Sequence, residues 1–357
     1  MRGYLRLDGR KGIRDRLLVV YLVDCARHVA DEIAEPFQKR GVYVVGFPNC
    51  YPSPYGQRML EALTTHPNVG GALLVSLGCE SFRKLSLERT IRESGRPTEV
   101  LTIQKAGGTR ATIAAGQTWL DSALSAIRMT PRVPLLPADL IIAVTPGDGG
   151  GDTCRSLGRV VEELLEAGGT VILDDPAKGR DLVPCGIDDS VRRALSTLAD
   201  RAAGYRRTMG SCWAETSTVA NVVSARLVAG LLRPNERPRG PGLYVLDNVP
   251  DDEPRYGHFD INPYVELAEM AACGAHAILA GTDSASLAGA AVTPVVKLCG
   301  DPERAHRFAD EIDIAGSGVV GLEVLSRIAD GTPTASERLG HYAFTLVHKN
   351  FEPAAAS

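Results

Sequence analysis

Short apolar runs alternate with amphipathic stretches along most of this 357-residue chain, and this alternation limits its fold more than any other feature. The runs are rich in β-branched residues and almost continuously apolar, as in Leu17–Val23 and Val42–Phe47. Strands of this kind are buried on both faces, which happens when helices cover both sides of a parallel sheet. The sequence therefore predicts an α/β protein with parallel-sheet, Rossmann-like architecture in two consecutive α/β domains.

The pattern also gives the element order and a domain boundary. The segment 130–137 carries three prolines and interrupts the alternation, so we place a boundary there, with domains at 1–130 and 131–353 and a disordered tail at 354–357. The predicted strands are Leu17–Val23, Val42–Phe47, Ala72–Leu77, Glu99–Ile103, Asp139–Val144, Thr170–Leu173, Gly242–Leu246, Ala277–Leu279 and Val292–Leu298. The predicted helices are Ala26–Arg40, Gln57–Thr65, Ser81–Ser94, Arg110–Arg128, Ser156–Ala167, Asp189–Ala203, Thr216–Leu232, Pro263–Cys273, Arg304–Glu311, Val319–Ala329 and Ser336–Phe344.

Charge and composition argue against several classes of protein. The net charge of −4 and pI near 6.0 argue against a nucleic-acid partner, which usually meets a basic surface. No uninterrupted apolar run reaches the roughly 18 residues of a membrane span, and the N-terminus carries charges where a signal peptide would be apolar. The eight cysteines form no CxxC pair, so we expect reduced thiols in a cytoplasmic protein.

Polar residues follow the predicted strands of the first domain, at the edge where parallel α/β sheets bind ligands. Gly78-Cys79-Glu80 brings a thiol and a carboxylate to a strand-to-helix turn, where such a pair can bind a divalent metal or move a proton. The alternative, which spacing alone favours, is a buried thiol beside a helix-capping carboxylate. Cys50 lies in a proline-rich polar loop, a setting less typical of a core cysteine.

Gly107-Gly108-Thr109 begins a predicted helix, and glycines there allow backbone N–H groups to face an anion. The alternative is a simple turn. The segment lacks the third glycine of a dinucleotide fingerprint and the lysine of a P-loop, so neither a nicotinamide nor a nucleotide triphosphate site is expected. On the anion interpretation, Gly108→Val abolishes ligand binding and costs little stability.

The most glycine-dense loop of the chain is Gly147–Gly151, which is followed by Asp152 and Cys154. With Asp148 it offers two carboxylates that could bind a ligand or a metal, although a flexible connector has the same composition. The next strand ends at Asp174-Asp175. We expect the loop to converge with Cys50 and Cys79 on one cleft.

Several segments, in this order, resemble the altronate dehydratase and galactarate dehydratase family, whose members remove water from sugar acids. The opening Gly3–Asp15 resembles the family's GYxRxDGRxGVRN signature, with Asp15 where asparagine is usual. The other segments that resemble the family are Cys25, His66-Pro67-Asn68, Leu77–Glu80, Ile103-Gln104, Gly107–Thr109, Gly168–Leu173, Pro294–Lys297, Ile312–Gly316 and Ala329–Thr334 with Glu337. From its position before Pro67, His66 is expected to order a turn.

The chain departs from the family pattern at positions that the family uses for cationic and metal-binding groups. A family His-x-x-Gly-Cys loop is reduced to Phe47–Cys50, and the CGGSD loop is replaced by Gly147–Cys154. Ala214–Thr218 lacks the family lysine, and Gly281–Ser284 lacks the family arginine. Because lysine and arginine bind carboxylates, these losses weaken the expectation of a doubly charged sugar acid as substrate.

The resemblance implies a metal-assisted lyase and assigns roles to the strand-end residues. It implies a divalent metal, iron(II) first with magnesium or manganese as alternatives, near Cys50, Cys79 and Cys154. The implied catalytic groups are Glu80, Asp148 and Asp175. The implied substrate-binding residues are Gln104, Gly107, Gly108, Thr109 and Asp152.

The resemblance also implies partners and leaves rival functions open. The chain lacks the family's leading β-clip domain, so we expect a separate small β-clip (SAF-type) subunit, a homo-oligomer and a small hydroxy acid substrate. One rival is a non-catalytic or regulatory paralogue that binds a small organic acid. The other is a lyase that eliminates a group other than water.

Overall fold

Two parallel sheets flanked by helices form the protein, as the sequence predicts. The computed structural model describes residues 1–209, 223, 226–252, 262–285, 289–316 and 321–351. Within these residues no helix is long and apolar enough to span a membrane.

The first sheet has four parallel strands in the order β4-β3-β5-β6. Its central strand is buried along its whole length, because helices cover both faces. Its strands are β3 (Arg16–Tyr21), β4 (Val42–Gly46), β5 (Val69–Ser76) and β6 (Thr98–Thr102), and its helices are α1 (Arg27–Ala34), α2 (Pro54–Thr64), α3 (Lys84–Glu93) and α4 (Thr109–Ile127).

The second sheet has seven parallel strands in the order β10-β11-β9-β8-β12-β13-β14. Its strands are β8 (Ile141–Thr145), β9 (Thr170–Leu173), β10 (Val228–Leu232), β11 (Gly242–Leu246), β12 (Ala277–Gly281), β13 (Val295–Cys299) and β14 (Ile314–Ala315). Its helices are α5 (Gly151–Glu166), α6 (Asp189–Met209), α7 (Pro263–Ala272), α8 (Pro302–Arg307), α9 (Gly321–Ala329) and α10 (Ala335–Leu339).

Several elements differ from the sequence prediction. The predicted helix Thr216–Leu232 is wrong over its last five residues, because Val228–Leu232 pairs with β11 as an edge strand; residues 210–222 lie outside the described part. The predicted helix Ser336–Phe344 stops at Leu339, where Gly340 adopts a left-handed cap. A small antiparallel sheet was not predicted; its strands are β1 (Arg2–Leu5), β2 (Lys11–Gly12) and β7 (Arg132–Pro134).

The charged opening segment connects the first sheet to the C-terminal part of the chain. Arg14 donates from Nε and Nη2 to the two carboxylate oxygens of Glu337, both at 2.8 Å. Arg16 donates to Glu337 Oε1 at 2.5 Å and to the carbonyl oxygens of Ala290 and Ala291. Since these residues lie more than 270 positions apart, the opening segment has a structural role at this junction.

The His66-Pro67-Asn68 segment belongs to the same junction. The Asn68 side chain accepts from the Ile13 N–H at 2.9 Å and donates to the His276 carbonyl at 2.9 Å. His66 Nδ1 accepts from the Asn68 N–H at 3.0 Å, so the expectation that His66 orders a turn is confirmed. The segment therefore fixes a turn that contacts both the opening segment and the residue before β12.

Candidate functional site

The strand-end loops of the first sheet lie side by side. The Ser81 N–H donates to the Cys50 carbonyl at 3.0 Å, which joins the loops that follow β4 and β5. A Cβ placed on Gly78 would lie 2.5 Å from Gln104 Oε1, so the loop after β6 is equally close. The thiols of Cys50 and Cys79 are exposed. The structure thus brings together four of the predicted site residues, Glu80 included.

A groove of about 350 Å³ opens beside these loops. Tyr51, Arg58, Ser81 and Arg83 are among the residues that line it. Two arginines at a sheet edge can bind a carboxylate, and neither was a predicted site residue.

Glu80 is a hydrogen-bonded carboxylate. Its side chain accepts from Ser76 Oγ and from the Gly78 N–H at 2.8 Å, and Lys84 Nζ lies 3.6 Å away. Burial acts to raise the pKa of Glu80, but these hydrogen bonds and the lysine outweigh it and lower the pKa below its ordinary value. A carboxylate held in the ionised form this way fixes the Gly78–Glu80 turn and is a weak base.

The Gly107-Gly108-Thr109 segment begins α4, as expected, but Gly108 does not offer a free donor. Its N–H donates to the Ile103 carbonyl at 3.0 Å. Gly108 caps the helix with φ of +90°, a conformation that side chains other than glycine rarely adopt.

We therefore expect Gly108→Val to lower the free energy of unfolding by about 1–3 kcal/mol, because a β-branched residue is strained at this φ. This outcome replaces the small stability cost that the sequence indicated. Urea denaturation of the variant measures the loss. Glycine replacement by valine at a helical position of ordinary φ, such as Gly204 in α6, is the control for loss of glycine alone.

The glycine-dense loop after β8 lies at the topological switch point of the second sheet. The chain adds β9 and β11 on one side of β8 and β12 to β14 on the other, so the loops after β8 and β12 face a crevice. Asp148 accepts from Ser284 Oγ across it. Asp283 accepts from the Gly150 N–H at 3.0 Å and from Thr153 Oγ1 at 2.6 Å. The protein's own Asp283 carboxylate thus occupies the N-terminal turn of α5.

The remaining predicted residues of this loop are held by local contacts. Asp152 is exposed and paired with Arg155. Cys154 is buried; its thiol donates to the Gly149 carbonyl at 3.4 Å, and burial raises its pKa. A buried thiol with a raised pKa is a poor metal ligand.

The predicted cysteine ligands do not form one metal centre. Cys50 and Cys79 follow strands of the first sheet, whereas Cys154 lies in α5 beside the second sheet. In the part of the chain that the structure describes, no three His, Cys, Asp or Glu side chains are grouped to hold a metal ion. The three predicted cysteines therefore do not form one metal site together, and no proposed catalytic step uses a metal.

A second group of polar side chains lies at the carboxyl ends of β9 and β11. We call Asp174, Lys178, Glu266, Glu269 and Lys349 the acid–lysine cluster. Lys178 Nζ donates to Asp174 Oδ1 at 2.5 Å, and Lys349 Nζ donates to Glu269 Oε1 at 2.6 Å. Tyr55 donates to the same Glu269 oxygen at 2.7 Å. Both lysines are buried, a costly arrangement that occurs where charge has a function or a close partner.

Asp175 positions part of this cluster. Its carboxylate accepts from the backbone N–H groups of Ala177, at 3.3 Å, and Gly179, at 2.7 Å. Those bonds fix the turn in which Lys178 has a φ of +49°, an uncommon value for a residue other than glycine. The predicted catalytic Asp175 is thus a residue that holds Lys178 in place.

Glu266 has the most perturbed environment of the cluster's carboxyl groups. Burial is the main cause that raises its pKa to about 7, and the nearby Asp174 adds to the shift while Lys178 and Lys349 oppose it. Its carboxylate makes no hydrogen bond with any described residue, and it is only half-buried. A carboxyl group that titrates near neutral pH and remains accessible is suited to proton transfer.

Unpaired polar atoms lie next to the cluster. Asn248 is 1% exposed, yet within the described part of the chain neither of its side-chain polar atoms has a hydrogen-bond partner, and the same holds for Glu269 Oε2. Lys349 Nζ reaches the Asn248 carbonyl at 3.3 Å, which places the two residues together. Buried polar groups are nearly always paired, so these atoms indicate a place for a bound water or a polar group of a ligand.

Two family models match the chain, one over its N-terminal part and one over its C-terminal part. The model described as D-galactarate dehydratase/Altronate hydrolase, second domain, matches residues 3–128. The model described as D-galactarate/Altronate dehydratase, C-terminal, matches residues 220–351. The chain belongs to the altronate/galactarate dehydratase family.

Curated relatives agree with this family. The beta subunit of (2R)-sulfolactate sulfo-lyase from Chromohalobacter salexigens is 25% identical, over 96% of this chain and 96% of its own. Altronate dehydratase from Escherichia coli is 24% identical, over 94% of this chain and 75% of its own length. Altronate dehydratase from Bacillus subtilis is 24% identical, over 49% of this chain and 38% of its own length.

The two matched ranges contain some of the site residues and leave others between them. The first-sheet loops with Cys50, Cys79 and Glu80 lie in the first matched range, and Glu266 and Lys349 lie in the second. The glycine-dense loop and the Asp174–Lys178 turn lie between the two ranges.

Proposed function

We propose that this chain is the catalytic chain of a carbon–oxygen lyase that dehydrates a sugar acid or related hydroxy acid to a 2-keto-3-deoxy acid. The observation that carries the proposal is its membership in a family whose curated members are lyases. The acid–lysine cluster supports it, because it supplies the charges that this elimination needs.

Elimination of water from a 2,3-dihydroxy acid breaks the C2–H bond and the C3–O bond, and the resulting enol becomes the 2-keto acid. A base must take the C2 proton, and cations must stabilise the negative charge that develops on the carboxylate. In the proposed mechanism Glu266 takes the C2 proton and returns it to the departing C3 hydroxyl group, which leaves as water. Lys178 and Lys349 stabilise the negative charge that develops in between. These two lysines would replace the family lysine and arginine that the chain lacks.

The other predicted residues have supporting roles in this proposal. Glu80 and Asp175 hold their turns, while Gln104, Thr109 and the arginines of the neighbouring groove would bind the far end of a substrate. Asp148 and Asp152, at the switch point, remain proposed ligands for substrate hydroxyl groups. Iron(II), magnesium or manganese dependence stays a prediction.

A second candidate is elimination of sulfite. It is favoured by the match over 96% of both chains to a protein named as a sulfo-lyase subunit. The steps are the same for a 2-hydroxy-3-sulfo acid: a base takes the C2 proton, the C3–S bond breaks, and sulfite leaves with the bonding electrons. The enol again becomes a 2-keto acid.

We also propose partners for the chain. The relative's name, subunit beta, supports a multi-subunit assembly, and a small β-clip (SAF-type) protein is the partner that the family resemblance implies. A homo-oligomer remains part of the proposal.

The test is an assay of anaerobically purified chain against a panel of sugar acids, hydroxy acids and a 2-hydroxy-3-sulfo acid. Each substrate is assayed with and without a small β-clip protein, and with iron(II), magnesium, manganese or chelator. We expect 2-keto acid formation, with sulfite release marking the second candidate. Turnover in chelator by the lone chain would contradict both the metal and the partner. Binding of an acid without any turnover would instead support the regulatory paralogue.

A further inference from the structure

A cavity of about 190 Å³ lies at the amino-terminal edge of the second sheet, where the two domains meet. Arg10, Lys11 and Pro67 line it from the first domain, and Asp139, Arg237 and His276 line it from the second. His276 comes just before β12, whose five residues span about 16 Å. The cavity is thus separated by the length of a strand from the carboxyl edge that carries the acid–lysine cluster.

The cavity wall is rich in positive charge. Lys11 pairs with Asp139 at 2.8 Å, and Arg10 pairs with Asp8 while donating to the Thr65 carbonyl. Arg237 makes no hydrogen bond or ion pair with any residue that the structure describes. The cations Arg10, Lys11 and Arg237 thus outnumber Asp8 and Asp139, the carboxylates that pair with them. Gly9 and Gly274 also line the cavity and, having no side chains, leave space for a ligand.

Neighbouring groups respond to this excess of charge. Arg237 is exposed along part of its length, and partial desolvation at the cavity lowers its pKa; repulsion by Arg10 adds to the effect, while Asp8 opposes it. Burial likewise lowers the pKa of Arg96 to about 10, with Arg6 and Arg10 contributing. Burial and the cations Arg10, Arg96 and Arg237 also keep His66 neutral by lowering its pKa, and His66 Nε2 is a buried atom without a partner.

His276 cannot supply a further donor to this cavity. Its Nδ1 accepts from the Ile141 N–H at 3.0 Å, and its Nε2 contacts the Lys11 carbonyl at 2.8 Å. With both ring nitrogens bonded, it is a neutral part of the wall. The donors that remain for a ligand are the guanidinium of Arg237 and the outer N–H groups of Arg10 and Lys11.

We propose that this cavity binds a small doubly charged oxyanion, of the size of phosphate, sulfate or a short dicarboxylate, between the two domains. Arginine guanidinium groups match the oxygens of such anions in paired hydrogen bonds. Because the cavity is small and is lined from both domains, a bound anion would contact both and stabilise their junction. The site is independent of the proposed lyase activity.

The test is isothermal titration of the full chain with inorganic phosphate, sulfate or malonate, beside sodium chloride at equal ionic strength. We expect saturable binding of at least one dianion and a rise in the thermal midpoint that chloride does not produce. Arg237→Met should weaken that binding at least about tenfold, since it removes a charge-assisted donor. Arg239→Met, two residues along the same loop and not among the residues that line the cavity, should bind as the wild type does.

The variants also separate binding from folding. Arg237 is repelled by its neighbours and has no described partner, so Arg237→Met should keep the wild-type free energy of unfolding in anion-free buffer. Equal effects of chloride and all three dianions would overturn the proposal. Unchanged dianion affinity in Arg237→Met would overturn it as well.

Discussion

Replacing Glu337 by glutamine is expected to lower the free energy of unfolding by about 3–5 kcal/mol, because it leaves the buried Arg16 and the half-buried Arg14 without their counter-charge. The Glu337 carboxylate accepts four hydrogen bonds, three from Arg14 and Arg16 and one from the Thr334 N–H at 2.9 Å. Arg16 is 3% exposed and lies over the Tyr43 ring at 4.6 Å, so water cannot take the carboxylate's place. Urea denaturation measures the loss.

The same carboxylate should make stability depend on pH in the acid range. Burial acts to raise the pKa of Glu337, but the hydrogen bonds and charges of Arg14 and Arg16 outweigh it and lower the pKa to about 2. Since the folded pKa lies below the unfolded value, the stabilisation is complete above about pH 4.5 and is lost as the pH falls towards 2. The difference corresponds to about 3 kcal/mol.

Glu337→Gln should therefore lower the free energy of unfolding and also abolish its decrease between about pH 4.5 and 2. Glu323→Gln, an exposed position in α9, is the matched control and should change neither quantity. If the glutamine variant at 337 unfolds with the wild-type free energy between pH 3 and 7, the junction does not depend on this ion pair.

Much of the fold could be predicted because buried parallel strands have a strong sequence pattern. Thr170–Leu173 and Gly242–Leu246 were predicted with the bounds that the structure gives, since each is a β-branched or apolar run next to a glycine. Val228–Leu232 was taken for a helix because its strand character comes from pairing with β11, not from its composition. The antiparallel strands β1, β2 and β7 are too short to give a periodic signal.

The opening segment shows why a sequence resemblance and a catalytic role must be separated. Arg6 and Arg14 match the family signature, yet Arg6 pairs with Asp15 at 2.7 Å, and Arg14 bonds to Glu337 together with the following Arg16. Glu337 is over 320 positions away, so only the folded chain identifies it as their common partner.

Only some residues of the candidate site could be predicted from the sequence. The strand-end rule indicated where Asp174 and Asp175 lie, because the strand before them was correctly predicted. Lys178 and Lys349 gave no signal, since a lysine in a polar stretch is normally exposed. A signal was present in α7, where Glu266 and Glu269 interrupt an apolar helix at a spacing that places both on one face.

The expected effect of replacing Glu266 is large and depends on the proposed lyase function. Glu266→Gln is expected to lower kcat by about 10²–10⁴-fold, the range typical of losing a general base, with a smaller change in KM. In the wild type, activity should rise with pH through about 7 as Glu266 loses its proton. The glutamine variant should lack that rise, and Glu266→Asp should restore part of it.

The free energy of unfolding distinguishes a catalytic role of Glu266 from a structural one. The folded pKa of Glu266 lies above its unfolded value, so its ionisation opposes folding increasingly from about pH 4.5 to 7. Glu266→Gln should therefore unfold at neutral pH with a free energy no lower than that of the wild type. Glu269→Gln should instead lose about 3–5 kcal/mol, because it leaves Lys349 buried without its counter-charge.

One turn of α7 thus separates two carboxylates with opposite expected behaviour. Glu269 is enclosed by Lys349 and Tyr55, and its charge holds the fold together. The Glu266 carboxylate faces Asp174 and two lysines and accepts no hydrogen bond from the residues that the structure describes, and its pKa is raised to about 7, in the neutral range. A Glu266→Gln enzyme with wild-type kcat and an unshifted pH profile would assign proton transfer to another residue, even where turnover confirms the lyase. If no acid is turned over by the wild type, the stability comparison still decides whether the two glutamates differ in this way.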